Sequence, residues 1–353
     1  MKILLTGANG FVGSHILDYL RARGLPAVLL LRPTSDRQFI EAHLPHVEVR
    51  TGSITDPASL QAVMPGVTHV IHCAGCIKAQ PLSQFYAINQ AGTRNVVEAI
   101  NSQEGRVRRL VHISSLAAAG PGAHNSVVRV PRPSPANDPT TRTTESCAPS
   151  CAPLPRETDP PHPVSEYGKS KLAGETEIRD RCRAEYVILR PPAVYGPRDL
   201  GFFSIFQAVK RHLLPRPAAS QALSLVFVRD LAQAVVTCLD HPAAAGKTYF
   251  VANPQIVTGR QMAAEIATQM RTWTIPVPLP TALFWPLCVG GEIMARLTGK
   301  ARLLSLQKFA ELRAPSWVCD SSLLRAETGH ECKTAMEKGI AETLGWYRRE
   351  GWL

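Results

Sequence analysis

Aromatic residues are scarce in this 353-residue chain, at 6%, and its charged residues, at 19%, never gather into a basic block interleaved with aromatics. That excludes the usual signature of a nucleic-acid surface, and no nucleic-acid partner is expected. The formal charge of +11 still suits an anionic ligand such as a phosphorylated cofactor. No internal repeat is visible. "MKILLTG" reads at once as a strand, so no secretory signal is expected. The nine cysteines are odd in number, and Cys73 and Cys76 form a lone C-x-x-C without a second pair at zinc-site distance. They are expected as reduced thiols of a cytoplasmic protein that binds no metal. One stretch, Trp273 to Gly291, lacks charge altogether, yet Pro276, Pro278, Pro280 and Pro286 would break a spanning helix. It is expected to be a loop and short helix covering something apolar, with at most weak contact at a membrane surface.

What is present is a globular pattern. Hydrophobic residues make up 45% of the chain, enough for a large core. "KILLTG", "AVLLLR", "VEVRTG", "HVIHCAG" and "RLVHISS" read as strands, with "EYVILRPP" and "KTYFVAN" as two later ones. "SHILDYLRARG" and "INQAGTRNVVEAINS" between them have helical spacing. Strands alternating with helices predict an α/β fold with a parallel, doubly wound sheet. Residues 121–165 break the pattern, holding 11 of the 29 prolines, and are expected to be a long loop or flexible insertion. Beyond residue 191 helical segments dominate, which suits a smaller domain closing over the sheet.

"TGANGFVG" follows the first strand and opens the first helix, with Gly7, Gly10 and Gly13 spaced G-x-x-G-x-x-G. In that context the glycines let backbone approach a pyrophosphate, which sits on the free N–H groups of the helix N-terminus. The second strand ends on Arg32, where an acid would hold a ribose 2′-hydroxyl and an arginine welcomes a 2′-phosphate. This predicts NADP(H) as the preferred cofactor, with NAD(H) as the alternative.

"VSEYGKSKLAGE" places Tyr167 and Lys171 one helical turn apart. An aromatic ring packed on a lysine stem and a phenol tuned for proton transfer both fit that spacing. Lowering a phenol from about 10 to about 7 takes roughly 4 kcal/mol of preference for the anion, which a nearby ammonium and a nicotinamide charge can supply.

With "TGANGFVG", "VIHCAG", "INQAGTRNVVEA", "HISSLAAAG", "YGKSK", "LRPPAVYGPRD" and "VFVRDLAQAV" in this order, the chain resembles the extended short-chain dehydrogenase/reductases, the group of NAD-dependent epimerases and dehydratases. The resemblance implies a Rossmann dinucleotide-binding domain at 1–190, carrying the 121–165 insertion and joined by segments near 224–252. A smaller, mainly helical substrate domain would comprise 191–223 and 253–353. It implies Ser115 as the group that hydrogen-bonds the reacting oxygen, Tyr167 as general acid/base, Lys171 as the ribose contact that favours the phenolate, and Asn89 as their buttress. Cofactor contacts are implied at Gly7, Asn9, Gly10, Phe11, Val12, Gly13, Arg32, Ser53, Ile54, Ala74, Gly75, Pro192 and Val194, besides Tyr167 and Lys171. A homodimer through the helices after the fourth and fifth strands is the family habit.

Departures from that family point to the substrate. Nucleotide-sugar enzymes of the group carry an asparagine where Ala193 stands, and an arginine seven residues before the aspartate matched by Asp230, where Leu223 stands. Ser53 replaces the acid that often contacts adenine. The pattern is more similar to the dihydroflavonol reductase and 3β-hydroxysteroid dehydrogenase branch. It predicts hydride transfer between nicotinamide and a carbonyl or secondary alcohol of a small apolar substrate, with Ala193 and Leu223 in the pocket. A nucleotide-sugar epimerase or dehydratase is the alternative, and a non-catalytic dinucleotide sensor the second.

Overall fold

A computed structural model describes residues 1–122, 153–217, 221–279 and 316–353, with a few positions between 285 and 314. The strands are β1 (Ile3–Thr6), β2 (Ala27–Leu31), β3 (Glu48–Thr51), β4 (His69–His72), β5 (Arg109–Ile113), β6 (Glu185–Arg190), β7 (Ala193–Tyr195), β8 (Leu213–Pro217), β9 (Ala222–Phe227), β10 (Lys247–Phe250), β11 (Ile256–Thr258), β12 (Ile275–Leu279) and β13 (Ser316–Trp317). The helices are α1 (Phe11–Ala22), α2 (Pro57–Val63), α3 (Ser83–Phe85), α4 (Gly92–Asn101), α5 (Leu116–Ala119), α6 (Glu166–Arg181), α7 (Phe203–Lys210), α8 (Val228–Thr237), α9 (Gly259–Met270), α10 (Ser322–Thr328) and α11 (Met336–Arg349).

All seven strands read from the sequence join one parallel sheet, in the order β10-β6-β5-β4-β1-β2-β3. Every residue of β1, β2, β4 and β5 is buried, because helices cover both faces of the sheet. On one face Leu5, Leu29 and Val111 meet Ile16 and Leu17 of α1 and Leu231 and Val235 of α8. On the other, Leu4, Val28, Val70 and Leu110 meet Leu60 of α2, Val96 and Ile100 of α4 and Ile178 of α6. The strand order reverses between β1 and β4, and ligands of such sheets bind at the carboxyl ends beside that switch point.

A second, smaller sheet has β9 at its centre, antiparallel to β11 and parallel to β13 and β7. Phe206, Phe227, Ile266, Ile340 and Leu344 form a third core beneath it with α7, α9 and α11. Short strands thus accompany the helices that the sequence predicts there.

The uncharged 273–291 stretch differs from expectation over 275–279, which form β12, a strand parallel to β8 in place of a loop. Its prolines, Pro276 and Pro278, alternate, so both missing N–H groups fall on the outer edge, while Ile275 donates inward to His212 O at 2.7 Å. Most of the remaining stretch lies outside the described residues, as does the insertion over 123–152. Residues 153–165 are tied down: Pro155 O accepts from Asp320 N at 2.9 Å, and Glu157 Oε1 accepts from Phe250 N at 2.8 Å. No helix among the described residues is long and apolar enough to cross a membrane.

Candidate active site

The glycines of the first loop serve three different ends. Gly7 adopts φ +72°, and a Cβ there would lie 2.6 Å from Ala74 N, so the turn after β1 and the turn after β4 meet only over bare backbone. A Cβ on Gly13 would sit 2.0 Å from Gly7 O, so α1 can begin this close to the loop only with glycine. Gly10 caps α1 without any side-chain bond, and a Cβ there would meet nothing nearer than Gly7 O at 3.4 Å. Its outer face is open. The first-turn amides of α1, at Phe11, Val12 and Gly13, have no acidic side chain beside them. Asn9 stands at the crown of the same loop, half-buried. Such an uncapped helix end over a side-chain-free cradle fits the pyrophosphate of a dinucleotide.

Further along the carboxyl ends, Arg32 follows β2 in a tight turn, where its N–H donates to Ser35 Oγ at 3.1 Å and its carbonyl accepts from Ser35 N at 3.0 Å. Arg32 and Arg37 are both exposed around this turn. Arg37 went unread in the sequence, although "RPTSDR" shows it five residues on. Ser53 follows β3 with its hydroxyl 2.8 Å from Thr55 Oγ1. Ile54 is buried, its carbonyl accepting from Asn95 Nδ2 at 2.8 Å. Ala74 N donates to Thr6 Oγ1 at 3.2 Å, and a Cβ on Gly75 would lie 3.2 Å from Asn89 Oδ1 and 3.8 Å from Lys171 Nζ. Pro192 is buried just before β7, in which Val194 pairs with Val226.

Ser115, Tyr167, Lys171 and Asn89 come together beside Gly75. Ser115 caps α5, and its Oγ accepts from Ala117 N at 3.1 Å, leaving its own O–H to donate. Its hydroxyl favours the charged form of the Tyr167 phenol. Phe85 packs against the Tyr167 ring, centroids 6.0 Å apart. Lys171 is buried and its Nζ donates to Ile113 O at 2.7 Å. Asn89 lies in a π-helical turn, Tyr86–Ala91, a local widening frequent at functional sites. Its Oδ1 accepts from Cys76 N at 2.7 Å, and its Nδ2 donates to Cys76 O and to Ser170 Oγ, each at 2.9 Å. Ser170 Oγ in turn donates to Tyr167 O at 2.7 Å. One amide thus fastens the loop after β4 to the helix bearing the tyrosine and lysine.

The electrostatics differ from the expectation of a lowered phenol. In the polypeptide alone, burial pushes Tyr167 up to about 12, against the opposing pull of the Ser115 hydroxyl. Burial also pushes Lys171 down to about 8, opposed by Cys73 and Glu175. Desolvation disfavours both charges, and the lysine directs its bond at a carbonyl rather than at the phenol.

Several supporting residues carried no sequence signal. His72 sits behind the loop with its ring between Thr6 Oγ1 at 2.8 Å and Thr93 Oγ1 at 3.1 Å. Burial holds this imidazole down to about 3, hence neutral. Glu175, one turn after Lys171, accepts from Ser114 Oγ at 2.5 Å. A glutamate in a helix normally reads as surface.

Ala193 and Leu223 stand on the second sheet. Ala193 pairs in register with Leu225, and Leu223, two residues earlier in β9, shares that face between Val257 and Trp317. Among the described residues no group of His, Cys, Asp and Glu could hold a metal ion.

A ceramide reductase of Caulobacter vibrioides is 27% identical over 99% of this chain and 96% of its own length. A UDP-glucose 4-epimerase of Vibrio cholerae is 29% identical over 84% of this chain and 85% of its own length. In overall fold the chain matches the Bordetella bronchiseptica enzyme WbmG, solved with NAD and UDP, at a TM-score of 0.72 and 19% identity, covering 99% of this chain and 96% of that one. A model of the NAD dependent epimerase/dehydratase family matches residues 3–252, from β1 to just past β10, and this chain belongs to that family as an NAD(P)-dependent enzyme of the extended short-chain dehydrogenase/reductase type.

Proposed function

We propose that the chain is an NADP(H)-preferring oxidoreductase acting on the carbonyl or secondary alcohol of an apolar small molecule. The observation that carries the substrate class is the register of β7 on β9, which gives Ala193 and Leu223 one common face. Burying two phosphate charges without donors costs several kcal/mol, whereas an apolar ligand gains about 25 cal/mol per Å² removed from water. The nearly full-length match to a ceramide reductase supports an apolar substrate.

A bound dinucleotide would supply the hydride and, when oxidised, a positive charge favouring the phenolate. The Ser115 O–H donates to the substrate oxygen. Tyr167, kept protonated by burial at neutral pH, gives that oxygen its proton during reduction and takes it back during oxidation. Lys171 and the backbone at Gly75 would hold the ribose, while Asn89 fixes the spacing between loop and helix. Exposed Arg32 would meet the 2′-phosphate at the far end.

The second reading is a nucleotide-sugar epimerase, favoured by the Vibrio cholerae relative. The two separate by NADPH absorbance with a panel of ring-bearing ketones, run beside calorimetric titration of UDP-glucose. Ketone-dependent NADPH oxidation, falling about 10² or more in Tyr167→Phe, is expected. Tight UDP-glucose binding without any ketone turnover would restore the epimerase reading.

A further inference from the structure

Exposed apolar side chains gather where β8 begins beside β12. Leu213 is 43% exposed, Trp273 62% and Ile275 54%. Leu213 and Ile275 are register partners in the two strands. The Trp273 ring lies flat on the His212 imidazole, centroids 4.2 Å apart and planes 10° apart. His212 Nδ1 lies 3.0 Å from Trp273 O and 3.1 Å from Thr272 Oγ1. The tryptophan is therefore pinned in an outward pose by its neighbours, not merely uncovered.

The charges next to it along the chain have one sign. Lys210 and Arg211 lie just before His212 and β8, Arg271 directly precedes Thr272 and Trp273, and all three cations are exposed. Between Leu200 and Arg229, and between Ile266 and Gly291, the chain has no aspartate or glutamate. Both strands of the pair thus come from acid-free stretches. A protein partner would need a matching acidic and apolar face. A second copy would bring like charges together. Tryptophan with short apolar neighbours and a basic surround matches the headgroup layer of an anionic membrane.

We propose that the β8–β12 edge docks on an anionic phospholipid surface, with Trp273, Ile275 and Leu213 in the headgroup layer and Lys210, Arg211 and Arg271 on lipid phosphates. This goes beyond the reaction proposed above and does not rest on it, since docking can be read without turnover.

The test is co-sedimentation of the full chain with phosphatidylcholine vesicles and with vesicles of phosphatidylcholine and phosphatidylglycerol, at low and high salt. Partition onto the anionic vesicles should be at least about tenfold stronger, weaken with salt, and shift tryptophan emission to the blue. Trp273→Ser/Ile275→Ser should abolish it. Lys210→Glu/Arg211→Glu, at exposed positions that cannot disturb a core, should do the same with an unchanged thermal midpoint. Equal partition onto both vesicle types, or none onto either, overturns the proposal. So does sedimentation velocity showing that the same substitutions dissolve a dimer, which would make the edge an interface between copies.

Discussion

Glu175 and Arg190 face each other in the interior, Arg190 Nε donating to Oε1 at 2.9 Å and Nη2 to Oε2 at 2.7 Å, with 0% and 3% of their side chains exposed. Arg179 Nη2 adds a third bond to Oε2 at 2.8 Å, and Ser114 Oγ a fourth to Oε1. One carboxylate on α6 thereby ties the helix of Tyr167 and Lys171 to the ends of β5 and β6. The Arg190 bonds hold its carboxyl below the usual range despite the opposing effect of burial. Glu175→Gln leaves buried guanidinium charge unmatched, and should cost about 3–5 kcal/mol in denaturant unfolding at pH 7. A lowered carboxyl contributes stability above its unfolded value and loses it as pH falls through the folded one. The gap between variant and wild type should therefore narrow below about pH 4, the ordinary carboxylate range. A gap independent of pH would show that packing, not charge, holds the three elements.

Lys171 carries the opposite sign. Its folded value, near 8, lies below the ordinary lysine value of 10.5, so the unfolded chain binds the extra proton between the two. Folding is penalised below about pH 8, by roughly 3 kcal/mol at about 1.4 kcal/mol per unit, and the penalty fades as pH rises toward 10.5. Lys171→Met forgoes a bond to Ile113 O worth about 1 kcal/mol. The variant should still be more stable at pH 7, by about 1–2 kcal/mol, or a few degrees of thermal midpoint. That gain should shrink by pH 10, and turnover should be lost throughout. Lower stability at neutral pH would mean that the ammonium is better solvated than its burial implies.

The cofactor preference rests on an exposed side chain, so it can be changed without touching the core. Arg32→Asp should reverse an NADPH preference of about tenfold or more, at about 1.4 kcal/mol per decade, because a carboxylate repels phosphate and accepts a ribose hydroxyl. Fluorescence titration with both reduced dinucleotides measures it. Equal affinities in the wild type would mean that Arg32 points to solvent, and Arg37 would be the next residue to vary.

Local order in the chain was legible where one element decides it alone. The central strands β1 and β2 are near-continuous apolar runs because both faces are covered, and the glycine loop announces itself through spacing between strand and helix. What stayed hidden needs partners distant in sequence. Asn89 could be aligned by motif, but its bonds to Cys76 and Ser170, 13 and 81 positions away, depend on the tertiary fold. The same holds for Glu175, whose burial is set by Arg190 and Ser114. β7 and β11, three residues each, carry too little periodicity to be read before β9 pairs with them. For Tyr167 in the polypeptide alone, spacing reveals the neighbouring lysine but not the loss of water, which outweighs it.

Two of the loop glycines allow a test that separates fold from ligand. At Gly13 a methyl would sit 2.0 Å from Gly7 O, a backbone atom that cannot swing aside. Gly13→Ala must therefore push α1 away from β1, and should cost about 1–3 kcal/mol or more, as overpacking does. At Gly10 the methyl meets Gly7 O at 3.4 Å, an ordinary contact, and φ is −81°, which alanine adopts readily. Gly10→Ala should therefore unfold within about 0.5 kcal/mol of wild type, as an unstrained substitution does. Its methyl would instead occupy the space through which a pyrophosphate reaches the first-turn amides, and dinucleotide affinity should fall at least about tenfold, or 1.4 kcal/mol. Thermal unfolding and dinucleotide titration of both variants, read together, decide the matter. If Gly10→Ala binds normally, the pyrophosphate does not cross this loop. If Gly13→Ala is as stable as wild type, α1 does not start as close to Gly7 as the geometry places it.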